Sequence, residues 1–135
     1  MKKEKSASAK VDEKFDFTKI KTLEQVLERV GITELPDMSI VIEPLRKPLM
    51  ETYIVMLIIY VINNGWLADF KNQNQRKYRL YFWVRSDGSG FSDSFYDYVC
   101  ACTDAGSRLY IESEEKARHI LKHFEKEFEN YHLSK

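Results

Sequence analysis

The first regular pattern of hydrophobic and polar positions predicts a short amphipathic helix at residues 22–30. Its apolar residues recur at helical spacing and would form one stripe: Leu23, Val26, Leu27 and Val30. Thr22 and Gln25 have the spacing of a capping box, in which each side chain satisfies a free backbone amide. Gly31 follows and can take the left-handed conformation that ends a helix.

A second helix is predicted from about Leu45 or Pro48 to Asn63, because the positions between are apolar on nearly every side. Proline is tolerated in a first helical turn, and the Asn-Asn-Gly sequence that begins at Asn63 is a stop signal. Residues 32–44 contain two prolines, and we expect an irregular connector there.

The apolar run in this helix is too short to predict a membrane span. Tyr53–Ile62 is unbroken, but a bilayer needs about 20 such residues. The lysine-rich start of the chain has no apolar segment behind it and does not resemble a secretory signal. Cys100 and Cys102 stand two apart, where a bridge would be strained, so we expect two reduced thiols. These features favour a cytoplasmic protein that does not bind membranes.

Strict alternation then predicts a β-strand at residues 78–85. One face would carry Tyr78, Leu80, Phe82 and Val84, and the other Arg79, Tyr81, Trp83 and Arg85. A second strand is predicted from about Phe95 to Thr103, and a third, short strand from Arg108 to Ile111. The connections between the strands are short turns, so we expect a three-stranded antiparallel meander.

The last pattern predicts one long C-terminal helix. Ser113 is a good N-cap, and Glu114 and Glu115 complement the helix dipole. The apolar stripe consists of Ala117, Ile120, Leu121, Phe124, Phe128 and Tyr131. The predicted fold is therefore α+β, with two N-terminal helices, the three-stranded meander and a C-terminal helix packed on the sheet. We expect a disordered tail at residues 1–19 and a single domain at residues 20–133.

The composition of the chain gives no support to general binding of nucleic acid or membranes. The chain has 135 residues, 44% of them hydrophobic, and its 21 basic residues match its 21 acidic ones. Zero net charge gives no general attraction to nucleic acid or to an anionic membrane. Binding of that kind would need a local patch.

The strongest candidate patch is an aromatic and basic face of the predicted sheet. It comprises Arg79, Tyr81, Trp83 and Arg85, with Tyr96 and Tyr98 as an extension from the adjacent strand. Such side chains can stack unpaired bases and reach phosphates. They can equally be half-buried aromatics beneath a loop or at a subunit contact. The neutral charge and the absence of a motif typical of RNA-binding sheets favour the second interpretation.

Other groupings of reactive side chains give weaker signals. His119, His123 and Glu127 have a spacing that could place metal ligands along a helix, but no convincing fourth ligand exists. The three aspartates near the glycine-rich turn lack the spacing of an EF-hand loop; they are Asp87, Asp93 and Asp97. We therefore expect neither a metal nor another cofactor.

A cysteine nucleophile is the remaining route to catalysis. Cys100 or Cys102 would need one of three histidines as a base, namely His119, His123 or His132. Nothing in the sequence requires such a pair, and a small buried residue under a helix is the ordinary case. We expect that the protein is not an enzyme, and a hydrolase built on a cysteine and a histidine is the least favoured class.

Several short motifs occur in an order that resembles a known group of proteins. "LPDMS", "LRKPL", "INNGW", "SGF" and "GSRLYIESEEKA" follow one another within residues 22–133. Together they resemble small proteins encoded by phages and prophages of gut Bacteroidetes. That group has no established activity, so the resemblance implies a phage context and supplies no catalytic residues.

The sequence thus favours a non-enzymatic accessory protein of phage or prophage type that acts through protein–protein contacts. Its partner would be another protein or a second copy of the chain. The alternative is a single-stranded nucleic-acid-binding module that uses the aromatic and basic sheet face. The sequence does not distinguish a virion component from a protein of the host cytoplasm.

Overall fold

The computed structural model of the chain describes residues 14–134 and has an α+β fold. Its four α-helices are α1 (Leu23–Arg29), α2 (Glu43–Ile62), α3 (Glu114–His123) and α4 (Glu125–Leu133). Its two antiparallel strands are β1 (Lys77–Val84) and β2 (Phe91–Val99). Two 3-10 turns, Phe17–Lys19 and Ser107–Leu109, complete the regular structure of this part of the chain.

The segment before α1 contributes to the core. Of the predicted tail, residues 1–13 lie outside the described residues, whereas residues 14–19 are described. The carboxylate of Asp16 accepts a hydrogen bond from the backbone amide of Thr18 and so starts the first 3-10 turn. Phe15 and Phe17 pack against the core, because the burial of an aromatic ring away from water lowers the free energy of the folded chain.

Helix α1 begins and ends as the sequence predicts. The capping box of Thr22 and Gln25 is present, with both of its hydrogen bonds. Gly31 adopts a positive φ of 71°, a backbone conformation that would be strained in a residue with a side chain.

Helix α2 starts earlier than predicted, at Glu43. Pro44 lies in its first turn, where a missing amide hydrogen costs nothing, and Pro48 lies inside the helix. The amide that Pro48 lacks would have bonded the carbonyl of Pro44, so the defect stays near the helix start. None of the helices in the described residues combines the length and apolar character needed to cross a bilayer.

The predicted three-stranded meander is wrong, because residues 14–134 form only a two-stranded sheet. Strand β2 spans Phe91–Val99 instead of the predicted range from Phe95 to Thr103. The segment predicted as the third strand forms the 3-10 turn Ser107–Leu109 and a single bridge between Ile111 and Tyr78.

Hydrogen bonds also tie the segment after the second 3-10 turn to the end of α2. Asn63, at the end of α2, is buried; its Nδ2 donates to the carbonyl oxygen of Tyr110 at 2.9 Å. Its Oδ1 accepts from the amide of Glu112 at 3.0 Å. These two backbone groups point away from β1, because Ile111 between them exchanges both of its hydrogen bonds with Tyr78. Only Ile111 pairs with β1, since the residues just before Tyr110 form the 3-10 turn.

The predicted single C-terminal helix is also wrong, because Phe124 divides it into α3 and α4. Its φ of −124° and ψ of 20° are not helical, although its ring is fully buried. Ser113 caps α3 as predicted, accepting a hydrogen bond from the amide of Lys116. The break lets both short helices direct apolar residues into one core. That core includes Val26, Val55, Ile58, Ile62, Tyr78, Ile111, Ile120, Phe124 and Phe128.

Candidate interaction face

The strand register decides which side chains of the hairpin share a face. Arg79 pairs with Asp97, Tyr81 with Phe95, and Trp83 with Asp93. Directly opposed residues of an antiparallel pair project to the same side of the sheet. We call this side the outer face; it comprises Arg79, Tyr81, Trp83, Asp93, Phe95 and Asp97. The other side, with Leu80, Phe82 and Tyr96, packs against the core and is the inner face.

Three aromatic side chains dominate the outer face. The rings of Tyr81 and Phe95 are stacked, with centroids 4.8 Å apart and planes inclined by 8°. Trp83 lies against the other side of Phe95 along the strand, at 6.3 Å and 30°. Trp83 is 62% exposed and Phe95 is 41% exposed, while Tyr81 is half-buried. The cluster is therefore an ordered apolar surface in contact with solvent.

Arg79 is held in place by two carboxylates. Its Nε donates to Asp97 Oδ1 at 2.8 Å and its Nη1 donates to Asp104 Oδ2 at 2.6 Å. The guanidinium also lies 5.0 Å from the ring centroid of Tyr81. The hydrogen bonds that Arg79 donates to Asp97 and then to Asp104 raise its pKa above its ordinary value. Two of the five N–H donors of Arg79 are thus engaged, and the two carboxylates offset the positive charge that would attract a phosphate.

The charges near the aromatic cluster are mostly negative. Asp93 and Asp97 lie on the outer face, and Asp104 joins them through Arg79. Partial burial acts to raise the pKa of Asp104, but hydrogen bonds from Arg79 and Tyr110 outweigh it and lower that pKa overall. Three aspartates thus lie close to one arginine on this part of the surface. This balance repels a phosphate backbone.

The remaining predicted residues of the face lie elsewhere. Arg85 follows β1, is exposed and donates from Nε to the carbonyl of Phe91. Tyr96 pairs with Leu80, so it lies on the inner face, where its hydroxyl bonds Glu114 and Arg118. The hydrogen bond to Glu114 is the main reason that the pKa of Tyr96 is raised.

Tyr98 also belongs to the inner face, because it pairs with Tyr78. Its ring lies 5.7 Å from that of Tyr78 and 4.6 Å from the guanidinium of Arg76. The structure thus brings Arg79, Tyr81 and Trp83 together, and it adds Phe95, which sequence reasoning missed. The alternation of residues around Phe95 places its side chain on one face of the strand. Only the strand register shows that this is the face that carries Tyr81.

The histidines weighed as metal ligands or bases have other neighbours. The rings of His119 and His123 lie 4.5 Å apart, and His119 Nε2 hydrogen-bonds the carbonyl oxygen of Ile20. His132 lies against Phe82 and Phe91. Within residues 14–134, no three His, Cys, Asp or Glu side chains are grouped as metal ligands would be.

The aspartates and cysteines have separate roles. Asp87 accepts a hydrogen bond from the amide of Ser89, whereas Asp97 bonds Arg79. Cys100 and Cys102 are free thiols. The carbonyl oxygen of Cys100 accepts a hydrogen bond from Lys77 Nζ at 2.7 Å, so this position serves to hold the buried lysine.

Comparisons with protein-family models, with curated proteins and with solved structures find no match to this chain.

Proposed function

We propose that the protein is a non-enzymatic accessory protein, of phage or prophage type, that acts by binding another protein through the outer face. The observation that carries the proposal is the stacked cluster of Tyr81, Phe95 and Trp83. It stays exposed, whereas Leu80, Phe82 and Tyr96 of the inner face pack against the core. Clustered aromatics are the residues that supply most of the binding energy in protein interfaces. The phage context rests on the sequence motifs described above.

The surrounding charges support a protein partner. A rim of carboxylates around an apolar centre matches the usual anatomy of a protein interface, with its polar edge. Asp93 and Asp97 would meet basic side chains of the partner. Arg79 would act mainly as a support for Tyr81, since Asp97 and Asp104 hold its guanidinium in place and offset its charge.

Site-specific photo-crosslinking would identify what covers this face. A benzophenone side chain replaces Trp83, the most exposed of the three aromatics, and the full chain is irradiated in its native cells. We expect a crosslinked protein of defined mass. A crosslinked pair of identical chains would identify a homodimer, and a nuclease-sensitive product would identify nucleic acid and contradict the proposal.

The control places the same benzophenone at Glu34, an exposed residue of the connector between α1 and α2. A product found at both positions reflects collision and not docking. The proposal fails if position 83 gives no product beyond the control. Adding Phe95→Ala to the position 83 variant should remove the product, because Phe95 forms the centre of the stack.

One observation favours single-stranded nucleic acid as a second candidate. The near-parallel rings of Tyr81 and Phe95, with Trp83 beside them, form a flat platform on which a base could stack. Anisotropy of labelled single-stranded DNA and RNA tests this at low and moderate salt. Binding that weakens with salt and is lost in Trp83→Ala would support it.

A further inference from the structure

Strand β1 has one edge along which no second strand of the described residues runs. Its opposite edge pairs with β2. Within residues 14–134, only Tyr78 forms backbone hydrogen bonds on the open edge, where it exchanges two with Ile111. The residues that would continue this pairing form a 3-10 turn instead. The edge of β1 at residues 80–84 is therefore unpaired in the single chain.

The backbone of β1 fixes which groups point to the open edge. In an antiparallel sheet the N–H and C=O groups of one residue point to one edge of the strand, and those of the next residue point to the other. Those of Tyr78 point to Ile111. Those of Leu80, Phe82 and Val84 therefore point the same way. Three residues thus offer hydrogen-bond donors and acceptors to a further strand.

The side chains along this edge do not prevent such pairing. Residues 80–84 are all apolar or aromatic and include no charge and no proline. Native proteins usually protect an edge strand with charged residues, prolines or bulges. Strand β2 has this protection, because it carries Asp93 and Asp97 and its register with β1 is irregular opposite Trp83. The contrast indicates that the edge of β1 is suited to pairing with another chain.

We propose that this edge pairs with the same edge of a second copy, antiparallel about a two-fold axis at Phe82. In this register Phe82 faces Phe82 of the second copy, and Leu80 faces Val84 of the second copy. All three residues with free backbone groups are then paired, so about six hydrogen bonds form and the sheet becomes four-stranded. Pairs of identical chains related by a two-fold axis are the commonest form of oligomer.

The inner side of this edge has room for one side chain of the second copy. A cavity of about 260 Å³ lies beside Leu80, and its apolar wall includes Leu109 and Phe128. In the proposed register Val84 of the second copy lies opposite Leu80 and points to the same side of the sheet. Val84 is aliphatic and yet 46% exposed in the single chain. The pairing therefore directs an exposed apolar side chain towards an apolar cavity.

The outer side of the edge is also complementary to itself. Tyr81 lies opposite Trp83 of the second copy, so the two outer faces join into one aromatic surface with three rings from each copy. Arg85 of the second copy lies opposite Arg79, which is paired with two aspartates. Arg85 thus meets two acidic side chains and one basic one. These matches favour a second copy over a segment of an unrelated protein.

The test compares the full chain at low and at high concentration. Sedimentation equilibrium should show a mass that rises towards that of two chains. Hydrogen exchange at the amides of Leu80, Phe82 and Val84 should slow by about tenfold or more as the dimer forms, because these amides gain partners. The amides of Tyr96 and Tyr98 are the internal control. They point to the free edge of β2, so their exchange should not change.

Two matched variants locate the contact between the copies. Val84→Lys places a charge on the edge of β1 and should weaken association by about tenfold or more. Leu49→Lys makes the same kind of change on α2, at a residue that is 44% exposed, and should alter association by less than about twofold. Equal losses in both variants would overturn the proposal, since association would then use exposed apolar surface in general.

The proposal is also overturned if the chain stays monomeric, including the case in which only a different protein protects these amides. A dimer that leaves the exchange of Leu80 and Phe82 unchanged overturns it as well. The exchange measured on the unaltered chain remains decisive if Val84→Lys does not fold.

This inference goes beyond the proposed function, because it concerns how two copies pair and not which other protein covers the outer face. A monomeric chain leaves that function untouched, since crosslinking at position 83 tests for a different protein.

Discussion

We predict that the stability of the fold is especially sensitive to substitution of Asn63. It joins the end of α2 to the segment after the second 3-10 turn through two hydrogen bonds, to Tyr110 and Glu112. Asn63→Asp keeps the size and shape of the side chain. It retains the oxygen that accepts from Glu112 and replaces the donor that serves the carbonyl of Tyr110.

The magnitude follows from these two contacts. The carbonyl of Tyr110 loses its partner, which costs about 1–3 kcal/mol at a buried site. A carboxylate at this depth also lacks a cation and faces that carbonyl, and an uncompensated buried charge costs about 3–5 kcal/mol. We expect a total loss of at least about 3 kcal/mol in the free energy of unfolding at neutral pH, a large part of the stability of a small domain.

The loss should depend on pH in a known direction. Burial raises the folded-state pKa of the introduced carboxyl above its unfolded value, and the protonated form can donate to Tyr110 again. Folding then favours proton uptake, so the stability difference from the unaltered chain should be smallest at acid pH and should grow as pH rises. Urea unfolding followed by circular dichroism at about pH 5 and about pH 7 measures this difference.

Asn74→Asp is the matched control, because it makes the same chemical change on an exposed loop residue. It should lie within about 0.5 kcal/mol of the unaltered chain. The reasoning is refuted if Asn63→Asp also falls within that range, or if its stability deficit shrinks as pH rises.

Three further predictions concern buried or constrained positions. Lys77 is fully buried and donates to the carbonyls of Asn72, Gln75 and Cys100, so Lys77→Met should lower the free energy of unfolding by about 2–4 kcal/mol in urea titrations. A smaller effect than that of the exposed control Lys71→Met would contradict this. Gly88 has a φ of 72°, so Gly88→Ala should cost about 1–2 kcal/mol by thermal unfolding. Gly90→Ala should cost less, because Gly90 has no positive φ and the atoms nearest its added Cβ belong to the end of the Glu129 side chain; the reverse order would refute the argument. Burial against aromatic rings lowers the pKa of His132 below its ordinary 6.5. Stability should therefore be full above about pH 6.5 and fall as pH drops towards 5, and this fall should be smaller in His132→Phe; identical pH profiles would exclude the role.

The helix signals in the sequence predicted most of the helical structure because they act locally. The capping box of Thr22 and Gln25 and the N-cap Ser113 need only their nearest neighbours, and both are present. The predicted start of α2 is too late because the prolines of residues 32–44 indicate an irregular connector, although Pro44 is tolerated in a first helical turn for the same reason as Pro48. The break at Phe124 could not be read from the sequence, since the apolar stripe continues through it.

The sheet was less predictable because its pairing depends on distant residues. Alternation alone separates Arg79, Tyr81 and Trp83 from the core-facing positions of β1. The partner of each residue depends on the register of β2, and a shift of one residue moves every side chain to the other face. That is why Phe95, and not Tyr96 or Tyr98, completes the outer face. The third strand is missing because residues 107–109 take a 3-10 conformation, which leaves Ile111 alone to pair with β1.

The break at Phe124 has a consequence for the order in which the chain folds during synthesis. Each of the two helices that it separates is shorter than the length at which an isolated helix holds its shape in water. Both therefore form only by docking, and the core that they complete runs from Val26 to Phe128. Until Phe128 has been synthesised, the side of α2 that contacts α4 has no cover. The nascent chain consequently carries an incomplete core until nearly all of the domain is present, and cooperative folding has to await the arrival of α4.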